Sequence, residues 1–128
     1  DRTVVAFAGD GCFLMNGQEL ATAMQYDARV IFLVINNGMY GTIRMHQERN
    51  YPGRVSGTRL TNPDFAALAR SYGLHGERVK ATEEFGPAFE RCEASGKPAL
   101  IEIRIDPEAL TPKMTLSQIR EQAIAQGK

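Results

Sequence analysis

The sequence predicts an α/β fold, a doubly wound three-layer α/β/α sandwich with a mostly parallel sheet. Two continuous apolar runs, TVVAFA from Thr3 and VIFLVI from Val30, are typical of strands that are buried on both faces. The segment between them has a helical pattern, so these elements are expected to form a βαβ unit with parallel strands. The loops that follow the two strands should then leave the same edge of the sheet, where open α/β sheets bind their ligands.

The bulk composition indicates one soluble domain over residues 1–128. Hydrophobic residues make up 43% of the chain, and 15 basic residues balance 15 acidic ones. This balance predicts neither nucleic acid nor an acidic membrane as a partner. No apolar run is long enough for a membrane span and no signal segment opens the chain, so we expect a cytoplasmic protein.

The two cysteines, Cys12 and Cys92, are expected to be reduced, because their spacing fits no metal site and nothing indicates that they pair. Cys92 falls on the apolar side of a predicted helix and should pack there as a small hydrophobic residue.

The loops after the two strands carry the residue types of a magnesium and diphosphate site. Asp10 offers an anionic oxygen and Asn37 a neutral one, and both are ligands that Mg²⁺ prefers. Gly9 and Gly11 allow backbone N–H groups to approach phosphate oxygens, because neither residue has a Cβ. Since Mg²⁺ commonly bridges protein oxygens and substrate phosphates, the sequence predicts a metal ion that is bound together with a diphosphate.

Two other interpretations of the GDG segment need to be weighed. By itself, GDG is more often an ordinary turn than a metal site, because Gly and Asp are common turn residues. A dinucleotide-binding loop is the nearest alternative in physical terms. It is disfavoured because GDGCFL lacks a third glycine and because the second strand ends in Asn rather than in an acidic residue.

The same motif resembles that of a known family. The GDG that begins at Gly9, followed after residues 12–35 by the Asn pair that begins at Asn36, is similar to the thiamine diphosphate-binding motif of thiamine diphosphate-dependent enzymes. The surrounding segments GDGCFLMNGQELATA and INNGMYGTIR most closely resemble the acetolactate synthase-like branch. The resemblance extends from Asp1 to about Asp106, and it implies the C-terminal pyrophosphate-binding domain of such an enzyme.

The resemblance also implies a role for each residue of the two loops. Asp10 and Asn37 would bind Mg²⁺ through their side chains, and Met39 through its main-chain oxygen. At Cys12 the family often has a serine, and because a thiol is a weaker donor this contact is expected to use the backbone only. The residues implied to form the cofactor site are Gly9, Asp10, Gly11, Cys12, Asn37, Met39, Tyr40 and Gly41.

The cofactors that the resemblance implies are thiamine diphosphate and Mg²⁺, and the implied substrate is a 2-oxo acid. The glutamate that activates the cofactor in this family lies in a separate pyrimidine-binding domain, of the same or a neighbouring chain, so we expect a homo-oligomer. No catalytic residue is assigned in this chain.

The start of the chain at Asp1, two residues before a strand, favours an N-terminally truncated fragment of a lyase or transferase. Such a fragment is expected to bind thiamine diphosphate weakly and to be inactive alone. The alternative is a stand-alone cofactor-binding subunit, or a noncatalytic scaffold, that pairs with a separate pyrimidine-domain chain.

Local signals predict the remaining elements. Asn16 is expected to cap the helix after the first strand, and Asn62 followed by Pro63 is expected to begin a later helix. ALIEIRI, Ala99 to Ile105, alternates after its first residues, so it is expected to be a strand with one less-buried face or a strand at the sheet margin. A short amphipathic helix is predicted by the spacing of Leu116, Ile119 and Ala123.

Residues 45–59 are expected to form either a lid over the cofactor or an ordinary solvated loop. They have no apolar period with which to bury a face, so we expect poor order without the cofactor. His46 lies in this segment, where an exposed loop histidine is more common than a catalytic one.

Overall fold

The computed structural model describes residues 2–128, which form two compact units. The first unit contains the chain up to Asn36 together with Asn62–Arg104, and the second contains Asn37–Thr61 and Ile105–Lys128. Their helices are, in chain order, α1 (Asp10–Asn16), α2 (Leu20–Gln25), α3 (Gly41–Asn50), α4 (Phe65–Ser71), α5 (Thr82–Ala94) and α6 (Leu116–Ala125). Within the part of the chain that is described, no helix is both long and apolar enough to cross a membrane.

The first unit is built on a four-stranded sheet whose neighbouring strands all run parallel. Its strands are β1 (Val4–Gly9), β2 (Val30–Asn36), β3 (His75–Val79) and β4 (Ala99–Arg104), in the spatial order β1-β2-β4-β3. The register places Gly9 opposite Ile35, so β1 and β2 end side by side. The predicted βαβ unit is confirmed.

Helices cover both faces of this sheet, as predicted for a three-layer α/β/α fold. One face packs against α1, α2 and α4 through a core of Phe13, Leu20, Val34, Phe65, Ala69, Leu74 and Leu100. The other packs against α5 through a core of Ile31, Leu33, Val79, Ala88, Cys92, Ala99 and Ile101. Cys92 is buried in this second core as expected, and burial raises the pKa of its thiol to about 11.

Two expectations about the strands are wrong. β1 is an edge strand of the described sheet rather than one buried on both faces, and Phe7 is 73% exposed. An apolar run does not show which strands lie beside it. β4 lies between β2 and β3 rather than at the margin. The alternation in this segment comes from Glu102, a charged residue in an apolar run. Glu102 is nevertheless fully buried, because Arg78 forms a salt bridge with it.

Two predicted helix starts are also wrong. α1 begins at Asp10, directly after β1, and Asn16 is its last residue and makes no side-chain capping bond. α4 begins at Phe65, and its cap is Asp64, whose carboxylate accepts a hydrogen bond from Ala67 N at 2.8 Å. A carboxylate is as good a cap as an amide, so sequence alone did not distinguish Asp64 from Asn62.

In the second unit, α3 packs against α6. α6 buries Leu116, Ile119 and Ala123, so the predicted amphipathic helix is confirmed. The expectation of an irregular segment over residues 45–59 is wrong up to Asn50, because α3 continues to that residue. His46 is an exposed residue of this helix.

A buried carboxylate holds α3 in place. Glu48 is fully buried and accepts hydrogen bonds from Arg44 of α3 at 2.7 Å, from Arg120 of α6 at 2.8 Å and from the Gly53 N–H at 2.9 Å. The bond from Arg120 is the largest cause that lowers the pKa of Glu48, from 4.5 to about 2, and burial opposes the change. The sequence pattern does not predict α3 as a helix, because the residue that α3 buries, Glu48, is charged rather than apolar.

We expect Glu48→Gln to lower the free energy of unfolding by about 3 kcal/mol at neutral pH, since both arginines lose their buried ionic partner. A lowered carboxylate pKa stabilises the folded state above the unfolded value of 4.5, and this contribution is lost as the pH falls from there towards about 2. The difference between wild type and variant should therefore shrink over that interval.

Urea denaturation across the same pH interval measures this difference. Glu121→Gln, at an exposed position of α6, is the control and should leave stability nearly unchanged. A destabilisation by Glu48→Gln that does not depend on pH would contradict the assignment.

Candidate functional site

Asp10 is positioned by the junction of β1 and α1. It is only 3% exposed. Its Oδ1 accepts a hydrogen bond from the Gly11 N–H at 2.9 Å, and its Oδ2 accepts one from Asn62 Nδ2 at 2.7 Å. Asp10 is thus a buried, oriented anionic oxygen ligand of the kind that suits Mg²⁺.

A chain of hydrogen bonds leads from Asp10 into the centre of the sheet. Asn62 Nδ2 also donates to Asn36 Oδ1 at 2.9 Å, and Asn36 Nδ2 donates to Glu102 Oε1 at 2.8 Å. Glu102 Oε2 accepts from Arg78 Nε at 2.9 Å. We refer to Asp10, Asn62, Asn36 and Glu102 as the polar chain. All four belong to the first unit.

The strand register explains why these side chains meet. Val34 lies opposite Glu102 on the neighbouring strand, and Asn36 is two residues beyond Val34, so Asn36 and Glu102 share one face of the sheet. α4 packs closely on the same unit at Gly76, where a Cβ would lie 2.3 Å from the Ala66 main-chain oxygen. Only glycine fits there, and this close approach helps to fix the start of α4 and the preceding Asn62.

Arg78 joins the polar chain to the start of α4. Its guanidinium lies 2.9 Å from Glu102 Oε2 and 2.9 Å from Asp64 Oδ1. The hydrogen bond to Glu102 is the largest cause that raises the pKa of Arg78. This ion pair fixes the carboxylate on β4 and the cap of α4 at the same time.

The second predicted loop forms a tight turn in the second unit. Asn37 Oδ1 accepts a hydrogen bond from the Met39 N–H at 3.1 Å. Gly38, between them, has φ of 73°, in the left-handed region that favours glycine. The amide oxygen of Asn37 has two lone pairs, so it can accept this bond and still bind a cation.

A short antiparallel bridge orients the peptide groups around Met39. Met39 pairs with Arg59, and the bonds are made by the flanking residues, from Tyr40 N to Thr58 O at 2.9 Å and from Leu60 N to Gly38 O at 2.8 Å. In this pattern the carbonyl of the central residue points away from the partner segment. The Met39 main-chain oxygen is therefore directed away from residues 58–60.

Gly41 begins α3 beside the Asn37 side chain. A Cβ at this position would lie 2.8 Å from Asn37 Nδ2 and 2.9 Å from Leu110 Cδ2. Both distances are shorter than real Cβ contacts. A side chain at position 41 would therefore displace the Asn37 amide, and glycine allows the amide to keep its position.

The remaining predicted site residues are Gly9, Cys12 and Tyr40. A Cβ at Gly9 would meet no atom of residues 2–128 within 4 Å, so the space beside it is open. Cys12 is an exposed free thiol, and Tyr40 is half-buried.

Sequence reasoning missed three members of the polar chain. The motif gives Asn36 no role beyond the Asn pair, the local sequence predicts Asn62 as a helix cap, and Glu102 falls in a strand whose pattern does not predict a fully buried carboxylate. The signal that was available is a single acidic residue in an otherwise apolar run, since a buried carboxylate needs partners.

The predicted ligands are of the types that suit Mg²⁺. The first unit supplies a carboxylate, and the second supplies an amide oxygen and a main-chain oxygen, all of which are hard ligands. Within the described part of the chain there is no group of three or more His, Cys, Asp or Glu side chains that could hold a metal ion instead.

Comparison with known proteins agrees with the family resemblance of the sequence. Residues 1–103 match the family described as thiamine pyrophosphate enzyme, C-terminal TPP binding domain. The acetolactate synthase large subunit of Corynebacterium glutamicum is 37% identical over 115 residues, which cover 85% of this chain and 18% of that protein. The large subunit of acetolactate synthase isozyme 2 of Escherichia coli is 35% identical over 105 residues, or 81% of this chain and 19% of that protein. The chain thus spans about a fifth of the length of these relatives.

Solved structures show the same fold. The benzoylformate decarboxylase of Polynucleobacter necessarius superposes with a TM-score of 0.78 at 29% identity, covering 87% of this chain and 21% of that one. The thiamine diphosphate-dependent 4-hydroxybenzoylformate decarboxylase of Rhodococcus jostii RHA1 gives a TM-score of 0.76 at 35% identity, covering 83% of this chain and 20% of that one. With a family match over most of its length, the chain belongs to the thiamine pyrophosphate enzymes and is their C-terminal TPP-binding domain, with thiamine diphosphate as its cofactor.

Proposed function

We propose that this chain binds the diphosphate and metal end of thiamine diphosphate in an enzyme that decarboxylates a 2-oxo acid, or that forms or cleaves a carbon–carbon bond next to a ketone. The observation that carries the proposal is the buried Asp10, with a hydrogen bond to each carboxylate oxygen, inside the segment that matches the family. The similar proteins are named as acetolactate synthases and benzoylformate decarboxylases, and benzoylformate is a 2-oxo acid. The enzyme class is accordingly a lyase or a transferase.

Each loop residue has a proposed part in holding the cofactor. Asp10 through its carboxylate, Asn37 through its amide oxygen and Met39 through its main-chain oxygen would hold Mg²⁺. The diphosphate would be held by the remaining positions of the two loops, which are Gly9, Gly11, Cys12, Tyr40 and Gly41. The support is that the Asn37 oxygen keeps a lone pair and that the Met39 carbonyl points away from residues 58–60.

Thiamine diphosphate, when bound, supplies a stabilised carbanion to the reaction. The role of this chain is to bind and orient the cofactor by its charged end. The activating carboxylate comes from a pyrimidine-binding domain of the same or a neighbouring chain, in a homo-oligomer.

If Asp10 is a metal ligand, Asp10→Asn should raise the dissociation constant for Mn²⁺, measured in the presence of thiamine diphosphate, by at least about 10–100-fold. Asparagine keeps the shape of the side chain but removes its charge. The measurement is the electron paramagnetic resonance signal of unbound Mn²⁺ during a titration of the full protein.

Asp27→Asn is the matched control, because Asp27 is exposed and its φ of 47° is one that asparagine tolerates. This variant should bind Mn²⁺ as the wild type does. Wild-type affinity in Asp10→Asn would exclude Asp10 from the metal site.

The activity is tested by offering the full protein a panel of 2-oxo acids, including pyruvate and benzoylformate, with thiamine diphosphate and Mg²⁺. We expect CO₂ release from at least one of them, and loss of that release in Asp10→Asn because the cofactor is no longer held. If no 2-oxo acid of the panel yields CO₂, the proposed reaction class is wrong.

A further inference from the structure

We infer that Asn62, Asn36 and Glu102 are positioning residues, which fix the direction of the hydrogen bond to Asp10 and so present its carboxylate to the metal ion. This inference rests on the proposed role of Asp10 as a metal ligand. The family motif includes Asn36 but predicts no ligand role for it, and it does not include Asn62 or Glu102.

Glu102 is an anchor whose hydrogen-bonding direction cannot reverse. It is fully buried on β4, and its carboxylate accepts from Arg78 at 2.9 Å and from Arg104 at 3.3 Å. A carboxylate held by two guanidinium groups only accepts hydrogen bonds. The Asn36 side chain at 2.8 Å must therefore turn its NH₂ group towards Glu102.

This orientation determines that of the next amide. With its Nδ2 towards Glu102, Asn36 presents Oδ1 to Asn62. Asn62 then faces two oxygens, Asn36 Oδ1 at 2.9 Å and Asp10 Oδ2 at 2.7 Å, and its NH₂ group supplies one hydrogen to each. The reversed amide would set Asn62 Oδ1 against both acceptors.

This arrangement of the Asn62 amide lowers the stability of the fold, which supports a role for it other than stabilisation. The Asn62 Oδ1 atom is buried and has no hydrogen-bond partner within residues 2–128. A buried acceptor without a partner is destabilising, so the amide is held in this orientation by its two donor bonds.

The consequence for Asp10 is a carboxylate restrained at both oxygens. Asn62 holds Oδ2 and the Gly11 N–H holds Oδ1, so rotation about the last side-chain bond breaks at least one of these bonds. Partners that orient a metal ligand in this way typically contribute to metal affinity. Glu102 thereby influences the metal site through two intervening amides.

The test uses the Mn²⁺ dissociation constant of the full protein with thiamine diphosphate. Asn62→Ala should raise it by about 10–100-fold. Glu102→Gln should raise it by about tenfold, because glutamine can present either end of its amide to Asn36. The double variant should match Asn62→Ala alone, because the effect of Glu102 passes through Asn62 and the two changes are not additive.

Glu77→Gln is the matched control for Glu102→Gln. Glu77 lies on the neighbouring β3 and is bonded by Arg91 at 2.8 and 3.1 Å, so this variant also loses a carboxylate held by an arginine. It should leave the Mn²⁺ dissociation constant unchanged. Thermal unfolding of each variant checks its fold. If Glu102→Gln does not fold, it is replaced by Asn36→Ala, which interrupts the polar chain but keeps the Arg78–Glu102 pair.

The outcomes separate this inference from the proposed function. If Asp10→Asn binds Mn²⁺ as the wild type does, the proposed metal site is wrong. If only Asp10→Asn loses affinity and the Asn62, Asn36 and Glu102 variants bind normally, the positioning role is overturned while the metal site stands. Additive effects in the double variant would show that Glu102 does not act through Asn62, which also overturns the inference.

Discussion

The hydrogen bond from Asn36 to Glu102, 2.8 Å long, joins the carboxyl ends of the two central strands, and the polar edge of the sheet depends on it. Both residues are buried beside the apolar core of the sheet, where a polar group is costly unless it has a partner. Along the series from the guanidinium of Arg78 to the carboxylate of Asp10, each hydrogen-bond donor faces an acceptor. The sheet therefore supplies a rigid support for an anionic oxygen at the point where β1 ends.

The two units use different means to hold their elements together. In the first, apolar layers on both faces of the sheet supply the stabilisation and the polar chain is added at one end. In the second, the buried Glu48 is paired with the partly exposed Arg44 and Arg120, and the packing of α3 on α6 depends on this charge cluster as well as on the apolar face of α6. A buried ion pair is weak evidence of net stability, but removing one partner is strongly destabilising.

Much of the fold and part of the site could be predicted from the sequence. The apolar runs, the GDG segment and the Asn pair were sufficient for the βαβ unit and the family. Two of the failures have one physical cause, since apolar periodicity does not register a buried charge. Because Glu48 is charged, the sequence pattern did not indicate the helix α3. Because Glu102 is charged, the pattern did not indicate that β4 is a central strand. Asn62 has the same residue type as a helix cap, and only the tertiary contacts with Asp10 and Asn36 show its other use.

We propose that Asp10, Asn37 and the Met39 main chain are ligands of one metal ion. The most direct measurement is the anomalous scattering of Mn²⁺ in crystals of the full protein grown with thiamine diphosphate. The account predicts one manganese peak at about 2.0–2.2 Å, the range of a hard-cation bond, from an Asp10 carboxylate oxygen, the Asn37 amide oxygen and the Met39 main-chain oxygen. A bound cofactor whose manganese lies out of reach of Asp10 would contradict it.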